Sequence, residues 1–130
     1  MTTLLQLALY MTVLTFVAIL LGAILRNREW TAEGLKAGLS NRDQLPTATA
    51  LGGRAERAAN NTKEGFLLFV PLVLVAHVSG HGAEALLGAQ VFFWSRVVYL
   101  PVYLVGITYL RSAIWGVSVA GLAMMLFAML

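Results

Sequence analysis

Four apolar stretches separated by polar punctuation organise this sequence. Thr2 to Leu25 runs for 24 residues without a charge, and at about 1.5 Å rise per residue a helix of that length crosses the roughly 30 Å hydrocarbon layer of a bilayer. From Arg26 to Leu51 the pattern turns polar, with Trp30 at the expected interface, a short interfacial helix predicted over Thr31 to Leu39, and Pro46 set to break any helix behind it. The next apolar run, Phe66 to Val78, is too short to span alone, so its helix is predicted to begin near Gly52 and to carry charged turns inward. Pro71 inside it is expected to kink that helix, not to end it. Gly80 and Gly82 mark a tight turn, and a third span continues to Gly106 in spite of Arg96. A fourth runs from Ser112 to Leu130, where Gly116, Ala120 and Gly121 are small enough for close helix contact. The fold class is therefore all-α and integral to a membrane: one domain over 1–130, a four-transmembrane-helix antiparallel bundle with helices at 2–25, 52–79, 83–106 and 112–130 and a polar loop at 26–51. No basic segment precedes the first span and no small-residue cleavage site follows it, so a removable signal peptide is not expected.

Composition narrows the function classes. With 59% hydrophobic and 12% charged residues among 130, and a mean hydropathy of +0.80, the chain is too apolar for an ordinary soluble domain. Cysteine is absent, which excludes a disulfide framework and a thiolate metal site, so any thiol chemistry has to come from a substrate. The net charge is +3, and seven of the nine Lys and Arg residues fall between Arg26 and Lys63, with Arg111 in the connection between the third and fourth spans. By the positive-inside rule both basic regions face the cytoplasm and both termini face the other side. That grouping suits membrane topology better than a nucleic-acid footprint, and no nucleic-acid partner is expected. His77, His81 and Glu84 have a helical spacing that invites a metal, but Gly80 and Gly82 interrupt it, a fourth ligand is missing, and no metal is expected. Phe92, Phe93 and Trp94 are expected to pack the bundle, and Met124, Met125 and Phe127 to face lipid or a neighbouring helix.

The second helix carries the charge. With Arg54 set at 0° and about 100° per residue, Arg57, Asn61 and Glu64 fall at about 300°, 340° and 280°, one inward stripe, whereas Glu56, Asn60 and Lys63 fall on a separate, solvated edge. On the third helix Arg96, Tyr99 and Tyr103 repeat the spacing of Arg57, Asn61 and Glu64 in reverse. An antiparallel register would set Arg57 level with Tyr103, Asn61 with Tyr99 and Glu64 with Arg96. Glu64 and Arg96 would then form a structural ion pair, which matters because an isolated arginine at mid-depth costs at least about 2.5–3.5 kcal/mol. Two readings follow: polar glue between helices, or a receptor. Pairing leaves Arg54, Arg57 and Arg111 with no acidic partner on the stripe, and such surplus guanidinium groups beside phenols and an amide favour a small anionic or zwitterionic ligand.

The pattern Arg54-x-x-Arg57-x-x-x-Asn61-x-x-Glu64, then Arg96-x-x-Tyr99-x-x-x-Tyr103, then Arg111-Ser112-x-x-Trp115 resembles the MAPEG family, the membrane-associated proteins in eicosanoid and glutathione metabolism. The resemblance covers nearly the whole chain and implies a homotrimer with glutathione as co-substrate, bound between neighbouring subunits toward the cytoplasmic side. It implies microsomal glutathione transferase-like activity, with peroxidase activity in the same range; other members are leukotriene and prostaglandin E synthases and a non-enzymatic activating protein. Carried over by position, Arg54, Arg57, Asn61 and Glu64 would grip the tripeptide, Tyr99 and Tyr103 would add hydroxyl contacts, and Arg26 or Arg28 would reach in from the neighbouring subunit. Arg111 would stand beside the sulfur, with Ser112 as a second donor to it. The expected partners are glutathione, a lipophilic electrophile or hydroperoxide, membrane lipids and two further copies of the chain. The sequence departs from the family at Gly65, where many relatives carry an aromatic residue, and at Ala59, where some have a polar ligand contact. The alternative function is a non-catalytic trimer that binds glutathione or lipid. A transporter gated by Glu64 and Arg96 suits the three arginines less well, because they favour a fixed anion.

Overall fold

The computed structural model describes residues 1–130, and its chain is entirely helical apart from connections. Helix α1 covers Thr3–Asn27, α2 Ala32–Leu39, α3 Ala50–Val78, α4 Gly82–Val105 and α5 Thr108–Met129. Each of α1, α3, α4 and α5 is long and apolar enough to cross a membrane, so the chain reads as a multi-pass membrane protein built on a four-helix bundle. Threonines start three of the five helices: Thr2, Thr31 and Thr49 accept the amides of Leu5, Gly34 and Gly52, satisfying first-turn donors that have no intrahelical partner. The short α2 lies in the polar loop where the Thr31–Leu39 segment was expected.

Three boundaries differ from the sequence reading by two residues or more, for local reasons. Helix α1 runs on to Asn27, where Arg28 ends it in a left-handed conformation, so Arg26 lies in a helix and not in the loop. Helix α3 begins at Ala50, two residues before the glycines, because Thr49 supplies the cap. Helix α5 begins at Thr108, four residues before Ser112. Gly106 ends α4 with φ 88°, a left-handed conformation that glycine adopts without steric cost, and a single extended residue, Ile107, then suffices to reverse the chain. Arg111 consequently sits in the first turn of a helix, not in a loop. Pro71 lies within α3 and Pro101 within α4, and both helices run through them.

Helix α1 packs chiefly on α3 and α4 chiefly on α5, with α3 and α4 joining the two pairs. The α4–α5 contact is very close: a Cβ on Gly88 would stand 2.7 Å from the Gly121 carbonyl oxygen, and one on Gly121 would stand 2.6 Å from the Phe92 nitrogen. Small residues permit this approach where lipid supplies no hydrophobic drive. Gly121 performs the expected role, but Gly116 meets nothing within 4 Å and Ala120 is exposed. Away from α2 the bundle holds an apolar core of Leu4, Leu7, Met11, Phe69, Val73, Ala76, Ala85, Ala89, Phe92, Phe93 and Met125. Toward α2 a smaller cluster follows, made of Ala18, Ala58, Tyr99, Leu100 and Tyr103. Phe92 and Phe93 pack inside as expected, whereas Trp94 is 60% exposed and turns outward against the Phe93 edge. Met125 is buried, and Met124 and Phe127 face out.

Candidate functional site

The site begins with the face that α3 offers to its neighbours. Ala55, Ala58, Thr62, Phe69, Val73 and Ala76 are buried, and they share an arc of about 60° on the helix wheel. Arg57 and Glu64 are exposed, and Arg54 and Asn61 are half-buried. The charged stripe is thus not the inward face of α3 but its flank. Small side chains let helices approach, so the alanine face takes the interior and the long polar residues are displaced to the rim.

This rotation overturns the Glu64–Arg96 ion pair within the chain. Arg96 is buried, and its Nη2 donates to Thr62 Oγ1 at 3.3 Å. Thr62 lies about 160° from Glu64 around α3, so it is Thr62, and not the exposed Glu64, that α3 brings within bonding distance of the guanidinium. The chain's one ion pair joins Arg26 and Glu56 at 3.4 Å.

Beside that flank, three helices form a cleft of about 270 Å³ lined by Arg57 and Asn61 of α3, Tyr99 and Tyr103 of α4, and Arg111, Ser112 and Trp115 of α5. All six of the lining residues before Trp115 had been singled out in the sequence. Their aromatic and cationic groups are in register: the Tyr99 and Tyr103 rings meet edge to face at 5.5 Å and 71°, and the Arg111 guanidinium lies 4.8 Å over the Tyr103 ring. Such stacking suits a flat cation and holds it without a carboxylate. Ser112 Oγ donates to the Thr108 carbonyl at 3.3 Å, which engages its proton within α5. No acidic residue lines the cleft. Its electrostatics therefore favour an anion.

Arg54 belongs to an adjoining recess of about 290 Å³, shared with Arg57, Tyr103, Gly106, Thr108 and Arg111. Its Nε donates to the Leu104 carbonyl at 3.0 Å, one of the last carbonyls of α4, which lack helical partners. Glu64 lines neither cavity and makes no ion pair.

Arg26 stands on the opposite flank of α3. It pairs with Glu56, donates to the Pro46 carbonyl at 2.8 Å, and lines a third cavity of about 200 Å³ with Asn27, Arg42, Asn60 and Lys63. The edge of Glu56, Asn60 and Lys63 is thus one wall of a polar cleft, not simply a solvated surface. Arg28 caps α1 in a left-handed conformation, φ 54°, and is exposed away from these cavities. Two participants escaped sequence reading, Thr62 and Asn27, whereas Ala59, read as a departure from the family, also lines the third cavity. Thr62 could have been found from its place on the alanine face. Asn27, whose Oδ1 is buried without a partner, has no such signal.

No curated protein and no solved structure matches the chain at a significant level. A family model does, that of the MAPEG family, over residues 3–130. The match spans the four membrane helices and every residue of the cleft, and the chain accordingly belongs to the MAPEG family, which includes glutathione transferases, peroxidases and other activities.

Proposed function

We propose that this protein is a membrane-bound glutathione transferase, acting on lipophilic electrophiles and, by the same activated thiolate, on hydroperoxides. The observation that carries the reading is the convergence of Arg57, Asn61, Tyr99, Tyr103 and Arg111 from three helices on one cleft without a carboxylate. Glutathione presents two carboxylates, which guanidinium groups bind with charge-assisted hydrogen bonds, and amides, which Asn61 and the phenols complement. Glu64, free of any ion pair, is available on the same flank for the ammonium group.

Arg111 supplies the chemistry. A free thiol has a pKa of about 8.5, and the thiolate is the nucleophile. A guanidinium beside the sulfur favours the charged form, lowering that pKa so that the thiolate is present at neutral pH. The sulfur then attacks an electrophilic carbon: the C–S bond forms, the bond to the leaving group breaks with its electron pair, and the thiol proton has already passed to solvent. With a hydroperoxide, sulfur attacks oxygen, and a second glutathione completes the disulfide with release of alcohol and water.

A single-chain cleft of about 270 Å³ falls just below the roughly 300–1,000 Å³ of enclosed small-molecule sites. A neighbouring copy would complete it, and family membership and the basic flank lead to a homotrimer in which the Arg26 flank of one copy would close the Arg57 flank of the next, with the site toward the cytoplasm. The test is a glutathione titration of purified protein, followed by calorimetry and by thiolate ultraviolet absorbance near neutral pH. Binding with thiolate formation and conjugation of a model electrophile is expected. Failure to bind glutathione overturns the assignment, whereas binding without conjugation or peroxide reduction under any condition leaves a non-catalytic binding protein.

A further inference from the structure

Arg96 has no part in that mechanism, yet it is the least comfortable residue in the chain. It is 2% exposed in the middle of a membrane helix, it makes no ion pair, and its Nε is buried without an acceptor. A cation in that position costs at least about 2.5–3.5 kcal/mol. Something about its placement has to offset that.

Two contacts define it. Thr62 Oγ1 accepts from Nη2 at 3.3 Å, while the Thr62 proton is directed to the Ala58 carbonyl at 2.7 Å, so only the lone pairs of the hydroxyl face the guanidinium. The guanidinium carbon lies 4.1 Å from the centre of the Tyr99 ring, an arrangement that gains strength when water is excluded. Tyr99 in turn meets Tyr103 edge to face at 5.5 Å, and Arg111 covers Tyr103 at 4.8 Å. The result is a continuous stack from a buried cation to the cation at the cleft. Tyr99, Tyr103 and Arg111 line that cleft, and Arg96 does not.

We propose that Arg96 is a positioning residue: it clamps the Tyr99 ring from outside the cleft and thereby fixes the Tyr99 hydroxyl and, through Tyr103, the Arg111 guanidinium where a bound anion meets them. A residue that only glued helices together would need its donors satisfied, as polar groups in lipid are. Arg96 instead leaves Nε unmatched and spends its flat face on an aromatic ring. Positioning of this kind acts on the rate more than on affinity, because a displacement of an ångström at the reacting groups is enough to lose about a hundredfold.

The clamp is tested without any ligand by incorporating 3-fluorotyrosine at the four tyrosines and assigning the fluorine resonances by Tyr→Phe variants. In Arg96→Met the Tyr99 resonance should move most and Tyr103 next, while Tyr109 and Tyr10 stay in place; Tyr10 of α1 packs against Phe93 of α4 and reports whether α4 is intact. Arg96→Lys, which keeps the charge but not the flat fork, should move Tyr99 less. Thr62→Val, which removes only the acceptor, should move Tyr99 without moving Tyr10 and carries the test if Arg96→Met does not fold. Unchanged Tyr99 and Tyr103 resonances in folded variants, or a Tyr10 shift as large as that of Tyr99, overturn the proposal. The consequence for turnover rests on the glutathione reading: Arg96→Met should lower kcat about tenfold to a hundredfold with KM little changed, and Arg96→Lys should recover part of it. If wild-type protein fails to bind glutathione while the Tyr99 resonance still follows Arg96, the glutathione reading falls and the clamp stands.

Discussion

Where Phe69 stacks on Phe92 at 4.5 Å, α3 and α4 meet through large apolar side chains and the interior is closed. Farther along the same two helices, α3 offers Ala58 and Ala55 and α4 offers Tyr99 and Tyr103, and a cleft opens on the flank of α3. The two halves share the same two helices. What differs is side-chain volume on α3: phenylalanine fills the gap between helices, whereas alanine leaves room that polar residues from α4 and α5 occupy. A membrane bundle can thus hold stability and a ligand site in separate halves, provided that a boundary residue tolerates both surroundings. Arg96, next to Thr62 on one side and near Phe92 and Gly65 on the other, is that boundary.

Substitutions should separate the halves. Phe92→Ala removes a fully buried ring and should cost about 3–5 kcal/mol, read as a lower unfolding midpoint in detergent, with glutathione affinity per folded molecule preserved. Arg111→Ala should do the reverse: an unchanged midpoint, and kcat lower by about 10²–10³, the usual loss when one charge-stabilising group is removed. Its rate profile should also shift toward alkaline pH, since without the guanidinium the glutathione thiol ionises nearer its free value of about 8.5. Arg57→Ala should weaken glutathione binding about tenfold to a hundredfold, the worth of a charged hydrogen bond, while a substrate already bound is converted at nearly the normal rate. The smallest effect belongs to Glu56→Gln, which breaks an ion pair whose carboxylate is 52% exposed. Stability should change by less than about 1 kcal/mol, so any clear loss of glutathione affinity there would point to the Arg26 flank completing a neighbour's cleft. If Phe92→Ala abolished binding, or Arg111→Ala lowered the midpoint as much as Phe92→Ala does, the division between halves would be wrong.

The four spans, the polar loop and most of the cleft were legible in the sequence because they rest on signals that lipid makes strong. Charge is excluded from long stretches, and residues three and four apart share a helix flank. Arg57, Asn61, Tyr99 and Tyr103 met as their spacing implied, and Arg111 and Ser112, which the family resemblance placed with them, line the same cleft. Which flank of α3 faces inward was not legible, since a wheel fixes angles between residues and says nothing of the rotation of the whole helix. That rotation was decided by Ala55, Ala58 and Thr62, residues too ordinary to attract notice beside a row of charges. The same blindness produced the Glu64–Arg96 pair, where matching depth was taken to imply matching direction. The start of α5 was missed for a different reason: Arg111 and Ser112 read as a polar break, but Gly106 had already turned the chain.

The contact between Thr62 and Arg96 bears on how the protein is made. Helix α4 cannot be lodged comfortably in lipid alone, because its arginine would enter the bilayer with no acceptor at hand. Helix α3 is synthesised first, and with only Ser79, Gly80 and His81 between the two helices its threonine waits at the depth where the guanidinium arrives. Order of synthesis thereby makes a partner available before the arginine has to enter the bilayer. A Thr62→Val chain would then show its defect earliest in the yield of inserted protein, before any loss could be seen in the finished bundle.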